Sequence, residues 1–204
     1  MQDISIHWFR RDLRIHDNAA LYHALKSGLP VLPVFIFDTN ILDELKENDT
    51  VETNDKRVTF IHQEVARLKT GLNALGSDLL VFYGKPFDIW KEIIRTYPVK
   101  RVFTNHDYEP YANERDQQLS RLLKEQGIDF STCKDQVIFE KDEVLKDDGK
   151  PYTVYTPYSK KWKSKLNDFY LKSYPVEKYA ANFTQVKSHQ RLIGLSQMGF
   201  SDAG

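Results

Sequence analysis

The chain has 204 residues, of which 41% are hydrophobic and 28% charged, and its formal net charge is zero. This length suits one domain of ordinary size with some extra chain, or two small domains. A net charge of zero argues against a general nucleic-acid coat, and no apolar run approaches the ~18 residues of a membrane span. The single cysteine, Cys133, cannot form an internal disulfide, so a reducing cytoplasm is the expected location.

Strand-like and helix-like segments alternate through the first 130 residues. Strands are predicted at Ile4–Phe9, Val31–Phe37, Leu79–Tyr83, Arg101–Thr104 and Ile128–Thr132. The clearest helix is predicted from Asp55 to Leu75, where apolar residues recur at alternating steps of three and four. Asp17 is expected to cap the first helix, and Pro33 fits poorly inside the second strand. The alternation predicts an α/β fold with a Rossmann-like, doubly wound, five-stranded parallel sheet and helices on both faces.

The pattern changes after residue 132. A basic helix is predicted at Ser159–Tyr174, and residues 175–204 show no clear period. We therefore predict an α/β domain at 1–132 and an extended connector at 133–204 that leads to a further domain, since the last residues resemble an interrupted helix start. Residues 150–191 carry nine Lys/Arg against two Asp/Glu, while residues 1–149 carry 20 against 26. This asymmetry indicates either a solvated connector or a surface that faces an acidic partner or DNA phosphates.

An arginine-rich loop, Arg10 to Arg14, follows the first strand, at the sheet edge where α/β proteins bind ligands. The fingerprints G-x-G-x-x-G and G-x-x-x-x-G-K-[ST] are missing, which argues against a nicotinamide dehydrogenase and a P-loop NTPase. Guanidinium groups can hold a carboxylate or phosphate bidentately and can stack on a flat ring. Arg10, Arg11 and Arg14 are therefore candidate binding residues. The alternative is that they pair with Asp12, Asp17 and acids of neighbouring loops.

Polar residues also follow the second and fourth predicted strands, at the same edge. Asp38 comes directly after the second strand, and Asn105, Asp107 and Glu109 lie in the loop after the fourth. The amide and two carboxylates of that loop suit the N–H donors of a heterocycle, although Asp107 and Glu109 could instead cap the following helix. The sequence shows neither metal-ligand spacing nor a G-x-S-x-G elbow, so no metal site and no catalytic residue are predicted.

Four motifs follow one another along the chain, with Arg115-Asp116 after the third. They are WFRRDLRIHDNAAL at 8–21, FIFD at 35–38, NHDYEP at 105–110 and YTVYTPYSKKW at 152–162. In their order and spacing they resemble the photolyase/cryptochrome family. The resemblance covers the family's N-terminal α/β antenna domain and its connector, which is essentially the whole chain.

The resemblance implies a second domain and an enzymatic activity. Members join this domain to an all-helical domain that binds FAD and the DNA lesion, and photolyases use light to split cyclobutane pyrimidine dimers by electron transfer from reduced flavin. The expected function is thus the antenna-chromophore-binding domain of a deoxyribodipyrimidine photolyase, a carbon-carbon lyase. Its partner would be DNA containing pyrimidine dimers, and the present chain alone is expected to be monomeric and inactive. The alternatives are a blue-light photoreceptor of the cryptochrome type and a nucleotide-binding module of the electron-transfer flavoprotein kind.

The resemblance also implies a set of cofactor-binding residues. The antenna pigment would be methenyltetrahydrofolate or an 8-hydroxy-deazaflavin, whereas FAD would bind only in the helical domain, outside this chain. The cofactor-binding residues expected on this basis are Arg10, Arg11, Phe35, Asp38, Arg57, Asn105, Asp107 and Glu109. Lys56 is an alternative to Arg57 at the start of the long helix.

Overall fold

The computed structural model describes residues 2–46, 53–185 and 190–204. The strands within these ranges are β1 (Ile4–Phe9), β2 (Val31–Asp38), β3 (Thr53–Asn54), β4 (Leu80–Gly84), β5 (Val99–Asn105), β6 (Asp129–Cys133) and β7 (Phe200–Ser201). The α-helices are α1 (Ala19–Leu25), α2 (Thr39–Leu42), α3 (Lys56–Ala74), α4 (Pro86–Thr96), α5 (Pro110–Glu125), α6 (Tyr155–Lys165) and α7 (Asp168–Leu171). Short 3-10 helices lie at Asp43–Leu45, Lys141–Glu143, Val176–Asn182 and Ser196–Met198. No helix in the described ranges has the length and apolar character needed to cross a membrane.

Five strands form one parallel sheet in the order β4-β2-β1-β5-β6. The predicted five-stranded, Rossmann-like α/β fold is confirmed. From β1 the chain moves outward through β2 to β4, then returns to the other side of β1 and continues from β5 to β6. The strand order therefore reverses between β1 and β5, and open α/β sheets bind ligands beyond the carboxyl ends of strands at such a point.

Two hydrophobic layers enclose the sheet. Residues alternate between its faces, so Phe9 joins one layer while Ile6 and Trp8 join the other. Helices α1 and α3 cover the first face, and α4 and α5 cover the second through residues such as Trp90 and Leu119. With both faces covered, all six residues of β1 are buried, including the polar Ser5 and His7.

The cap of α1 differs from the prediction, whereas Pro33 does lie within β2. The helix cap was predicted one residue too early, since Asn18 caps α1 by accepting a hydrogen bond from the backbone N–H of Leu21, 3.1 Å away. Asp17 instead adopts a positive φ of 48°. Pro33 is accommodated because the ladder between β2 and β4 begins only at Val34. Pro33 therefore lies beyond the start of β4 and is aligned with β1 alone.

The basic segment predicted as one helix, Ser159–Tyr174, contains two helices in the structure. It forms α6 and the short α7, separated at Leu166 and Asn167. The Asn167 side chain accepts a hydrogen bond from the Phe169 backbone N–H, 3.0 Å away, and so starts a new helix. None of the α6 residues is buried, so this helix presents an uncovered basic and aromatic surface.

The segment after residue 175 packs onto the sheet, although its sequence shows no period. Val176, Phe183, Met198 and Phe200 all belong to the first hydrophobic layer. The backbone N–H of Thr184 donates to the carbonyl of Val31 at 2.8 Å, and β7 pairs in parallel with β3. The boundary at residue 132 remains a prediction, but this later segment and the sheet share one core.

Candidate functional site

The predicted binding loops lie side by side at the reversal of strand order. Arg11 Nε is 3.5 Å from Asp107 Oδ2, and Arg11 Nη2 is 3.8 Å from Glu109 Oε1. This follows from the pairing of β1 with β5, because neighbouring parallel strands deliver their exit loops to the same edge. The structure thus joins two clusters that are far apart in the sequence.

A cavity of about 440 Å³ opens beside these loops, within the ~300–1,000 Å³ range of small-molecule sites. Helix α3, β2 and the start of α5 complete its walls. Its aromatic lining residues are Trp8, Phe35, Phe37, Phe60 and Tyr111. Its charged lining residues are Arg10, Arg11, Asp38, Asp107, Glu109 and Arg115. We call it the apolar cavity, because rings and aliphatic side chains dominate its interior and the charges form part of its wall.

Two arginines lie over the ring of Trp8 in the wall of the apolar cavity. The guanidinium carbons of Arg10 and Arg115 are 5.1 and 4.9 Å from the ring centroid. Arg10 Nη1 donates to both carboxylate oxygens of Asp116, at 2.6 and 2.9 Å, and Nη2 donates to the backbone carbonyl of Asn105. Burial, followed by repulsion from Arg10, lowers the pKa of Arg115 from its ordinary value. Arg10 is thus fixed by protein partners and acts as a rigid part of the wall.

Asp38 lies at the junction of β2 and α2. Its Oδ1 accepts from the backbone N–H of Asn40 at 2.9 Å, which caps α2, and its Oδ2 accepts from the Tyr111 hydroxyl at 2.6 Å. Burial raises the pKa of Asp38 above its ordinary value, and burial together with the Asp38 hydrogen bond raises the pKa of Tyr111 to about 12. The pair links β2 to α5 across the mouth of the cavity, and Tyr111 stays protonated at neutral pH.

Asn105 occupies a structural joint and lies outside the lining of the apolar cavity. Its Oδ1 accepts from the backbone N–H of Ala20 at 2.9 Å, and its Nδ2 donates to Asp12 and Asn18 at 2.6 and 2.9 Å. Burial would raise the pKa of Asp12, but nearby His7 and the hydrogen bonds from Arg10, Asn18 and Asn105 hold it below its ordinary value. Asn105 thus makes three protein contacts, and its predicted ligand contact stays a prediction.

The side chain of Glu109 does not cap α5, contrary to the helix-capping alternative. Glu109 stands at the N-cap position of α5, but its side chain makes no capping hydrogen bond, and 60% of its side-chain surface is exposed. Asp107 Oδ1 accepts weakly from the Glu109 backbone N–H at 3.3 Å, and its other oxygen faces Arg11. The Glu109 carboxylate thus remains at the cavity rim, where a ligand could reach it.

The start of α3 supplies a different residue from the one predicted. Arg57 is an exposed residue that pairs with Asp55 at 2.6 Å and lies outside the cavity lining, and Lys56 is exposed as well. Phe60, one turn further along, lines the cavity while remaining largely exposed. The sequence prediction did not include Phe60, although an apolar ring outside the repeating stripe of α3 could have indicated it.

The fold defines an α/β domain of the Rossmann-like kind, with a candidate ligand cavity at its strand-order reversal. The model of the DNA photolyase family matches residues 5–178. The chain belongs to this family. It is 31% identical over 157 residues to the deoxyribodipyrimidine photo-lyase of a Synechococcus species, a match that covers 77% of this chain and 31% of that protein.

Two further similarities cover most of the chain. Cryptochrome-2 of Gallus gallus is 28% identical over 210 residues, covering 98% of this chain and 34% of that protein. The crystal structure of a class III photolyase from Agrobacterium tumefaciens superimposes with a TM-score of 0.68 at 27% identity, covering 81% of this chain and 33% of that one. The chain therefore spans about a third of the length of each of these relatives.

Proposed function

We propose that this chain is the antenna-chromophore-binding domain of a deoxyribodipyrimidine photolyase and that the chromophore binds in the apolar cavity. The observation that carries the proposal is the cavity itself, which lies at the strand-order reversal with aromatic walls and a charged rim. Carried over from relatives, the whole protein would use light and FAD to repair cyclobutane pyrimidine dimers in DNA. The absorbed energy would pass from the antenna pigment to FAD in another domain.

The lining residues fit a flat fused-ring chromophore. The ring of Trp8 belongs to the cavity wall, next to the guanidinium groups of Arg10 and Arg115. Phe35 and Phe37 present neighbouring rings with centroids 4.9 Å apart, which suit an apolar ring face. Glu109 at the rim supplies an acceptor for the polar edge of such a ring.

We further propose an 8-hydroxy-deazaflavin or another flavin-type pigment rather than a folate. A dimethyl-isoalloxazine ring is apolar at its benzenoid end and polar at its pyrimidine end, which matches an apolar interior with a polar rim. An 8-hydroxy-deazaflavin has the same pyrimidine end and one hydroxyl at the benzenoid end. A pterin carries hydrogen-bonding groups around most of its ring, and burying these without partners is unfavourable by about 1–3 kcal/mol for each group.

Titration of the purified chain with 8-hydroxy-deazaflavin and with methenyltetrahydrofolate tests this proposal. We expect fluorescence changes that saturate with the deazaflavin and binding at least tenfold weaker for the folate. Glu109→Ala should weaken deazaflavin binding, whereas Glu114→Ala, which removes an exposed carboxylate one turn away and outside the cavity, should leave it unchanged. Tighter folate binding would overturn the choice of pigment, and no binding of either compound would overturn the proposed site.

A light-signalling role of the cryptochrome type is the second candidate function. It is favoured by the match to the chicken cryptochrome, which covers 98% of this chain, more than the 77% covered by the Synechococcus enzyme. Light-dependent loss of pyrimidine dimers from DNA, measured with a protein containing this domain and its FAD-binding partner domain, separates the two candidates. Repair supports the photolyase assignment, and the absence of repair with an intact flavin supports the photoreceptor.

A further inference from the structure

A second, smaller cavity lies directly beside the apolar one. Its volume is about 240 Å³, and it is enclosed by the loop after β1, the loop after β5 and residues 135–136. Arg10, Arg11 and Asp107 line both cavities. We call the smaller one the polar cavity. A single ligand could therefore place a ring in the apolar cavity and a substituent in the polar cavity, with Arg11 on the ridge between them.

The polar cavity is lined by three arginines and three aspartates, so its formal charges cancel. Its accessible surface is nevertheless mainly cationic. Its carboxylates belong to Asp12, Asp107 and Asp135, whose side chains are each 9% exposed or less. The side chains of Arg11 and Arg14 are 58% and 43% exposed. Since contact and desolvation occur at the accessible groups, an anion meets guanidinium surface before it meets carboxylate.

The buried carboxylates are also occupied by protein donors. Asp12 accepts from the backbone N–H of Arg10 at 2.8 Å and from Asn18 at 2.9 Å. Asp135 accepts from Arg14 at 2.7 Å and from the backbone N–H of Ala19 at 2.9 Å. These contacts direct the carboxylate lone pairs to protein donors, and Arg14 also neutralises the charge of Asp135, so the two carboxylates oppose a bound anion less.

Arg11 differs from the other arginines of the site in the contacts it makes. Arg10 is tied to Asp116, and Arg14 donates to Asp135 and to the carbonyl of Asp17 at 2.7 Å. Arg11 reaches its acidic neighbours only at 3.5 and 3.8 Å, and within the described residues its guanidinium makes no hydrogen bond. Its donor fork is therefore available for a planar or tetrahedral oxyanion, which guanidinium binds bidentately.

We propose that the polar cavity is the subsite for an anionic, phosphorylated side chain of the chromophore and that Arg11 determines this specificity. The inference rests on the proposed function, because the ring must occupy the apolar cavity for its side chain to reach Arg11. Glu109, the exposed carboxylate near Arg11, lines the apolar cavity and not the polar one, so it faces the ring rather than the phosphate. Among flavin-type pigments, this chain should accordingly bind a phosphorylated nucleotide more tightly than the same ring with only its sugar alcohol.

Parallel titrations with riboflavin and FMN test the subsite, since the two share a ring and differ in one phosphate. The phosphate carries about −1.5 to −2 charges at neutral pH. We expect FMN to bind at least tenfold more tightly than riboflavin, which corresponds to about 1.4 kcal/mol. Arg11→Gln should bring the two affinities within about threefold of each other by weakening FMN alone, while Arg11→Lys, which keeps the charge, should retain part of the preference.

Two controls keep the outcomes separate. Arg121→Gln removes an exposed guanidinium of α5 that lines neither cavity and should leave the FMN preference unchanged. Raising the ionic strength to about 0.5 M should reduce the FMN preference, because the Arg11 contact is partly exposed. Equal affinities for riboflavin and FMN, or an equal loss of both in Arg11→Gln, would refute the subsite while leaving the ring site standing. If neither compound binds, both the subsite and the proposed function are wrong.

Discussion

Replacing Asn105 with alanine tests whether its side chain stabilises the fold at the edge of the site. Its side chain bonds to the backbone of Ala20 and to the side chains of Asp12 and Asn18. These bonds tie the end of β5 to the start of α1 and to the loop after β1. The variant loses all three at once, so its free energy of unfolding should fall although the apolar cavity keeps every lining side chain.

The size of the loss follows from what each partner retains. The buried N–H of Ala20 loses its acceptor, which costs about 1–3 kcal/mol, and the bond to the charged Asp12 contributes about 1.5–3 kcal/mol. Asp12 keeps donors from Arg10 and Asn18, so the lower end of that range applies to it. With about 1 kcal/mol for the Asn18 bond, the sum is about 4 kcal/mol, a large share of the ~5–15 kcal/mol that stabilises a domain.

Urea denaturation followed by tryptophan fluorescence measures this loss. Asn113→Ala is the matched control, because Asn113 is exposed and its side chain makes one bond, to the carbonyl of Tyr108 at 3.1 Å. The control should change the free energy of unfolding by less than about 1 kcal/mol. A loss below about 1 kcal/mol for Asn105→Ala, with an unchanged m value, would refute the structural role assigned to this side chain.

Three further predictions concern pH, the cavity lip and the late segment of the chain. His7 is fully buried, and burial lowers its pKa from 6.5 to about 4, so the unfolded chain binds a proton that the folded chain rejects between these values. The contribution of neutral His7 to the free energy of unfolding should be fully present above pH 6.5 and should fall by about 2 kcal/mol between pH 7.5 and 5, as measured by urea unfolding. His7→Leu should remove this part of the pH dependence. An unchanged pH dependence in that variant would contradict the assignment. Phe60→Ala should leave the urea midpoint nearly unchanged, because the ring is 61% exposed, yet weaken flavin binding in a fluorescence titration by about tenfold; unaltered affinity would place the ligand elsewhere. Phe200→Ala should cost about 3–5 kcal/mol of unfolding free energy because its ring is fully buried, whereas Phe169→Ala, with 75% of the residue exposed, should cost under about 0.5 kcal/mol; similar losses for the two would show that the late segment does not share the core.

The sheet could be predicted because its periods are local. The alternation of apolar strands and amphipathic helices predicts a doubly wound sheet without reference to distant contacts. In α3 the apolar stripe holds through Val58, Val65, Leu68 and Leu72, all of which are buried. It fails at Leu75, the C-cap residue, which is 40% exposed because the helix has already ended there.

The late segment could not be predicted in this way. Val176, Phe183, Met198 and Phe200 are buried, but they lie in 3-10 turns, an isolated bridge and a two-residue strand. Such pieces have too few residues to establish a helical or strand period. Their burial is decided by the space left between α1, α3 and the sheet, which is a tertiary property.

The roles of the charged residues at the sheet edge also could not be predicted from the sequence. The residue types there predict binding and pairing equally well. Arg10 pairs with Asp116 and Arg14 with Asp135, partners from elements much later in the chain, whereas Arg11 lies one position from Arg10 and stays exposed. Arg10 and Arg14 therefore form short pairs, whereas Arg11 has only the longer ion pairs to Asp107 and Glu109, at 3.5 and 3.8 Å. The positions of the distant acids decide this difference.

The site thus combines buried side chains that are held by protein partners with exposed side chains at its rim. Binding is strongest when the groups that meet a ligand are held in place before it arrives, since little ordering then remains to oppose association. The fixed pairs Arg10–Asp116 and Asp38–Tyr111 stiffen the wall behind the apolar cavity, and the Asn105 joint fixes the two exit loops. Arg11 and Glu109 project from those stiffened loops with their polar groups exposed. A ring and an anion bound here would therefore meet a largely preformed surface, and affinity should depend on the two exposed rim residues, while stability depends on the buried pairs behind them.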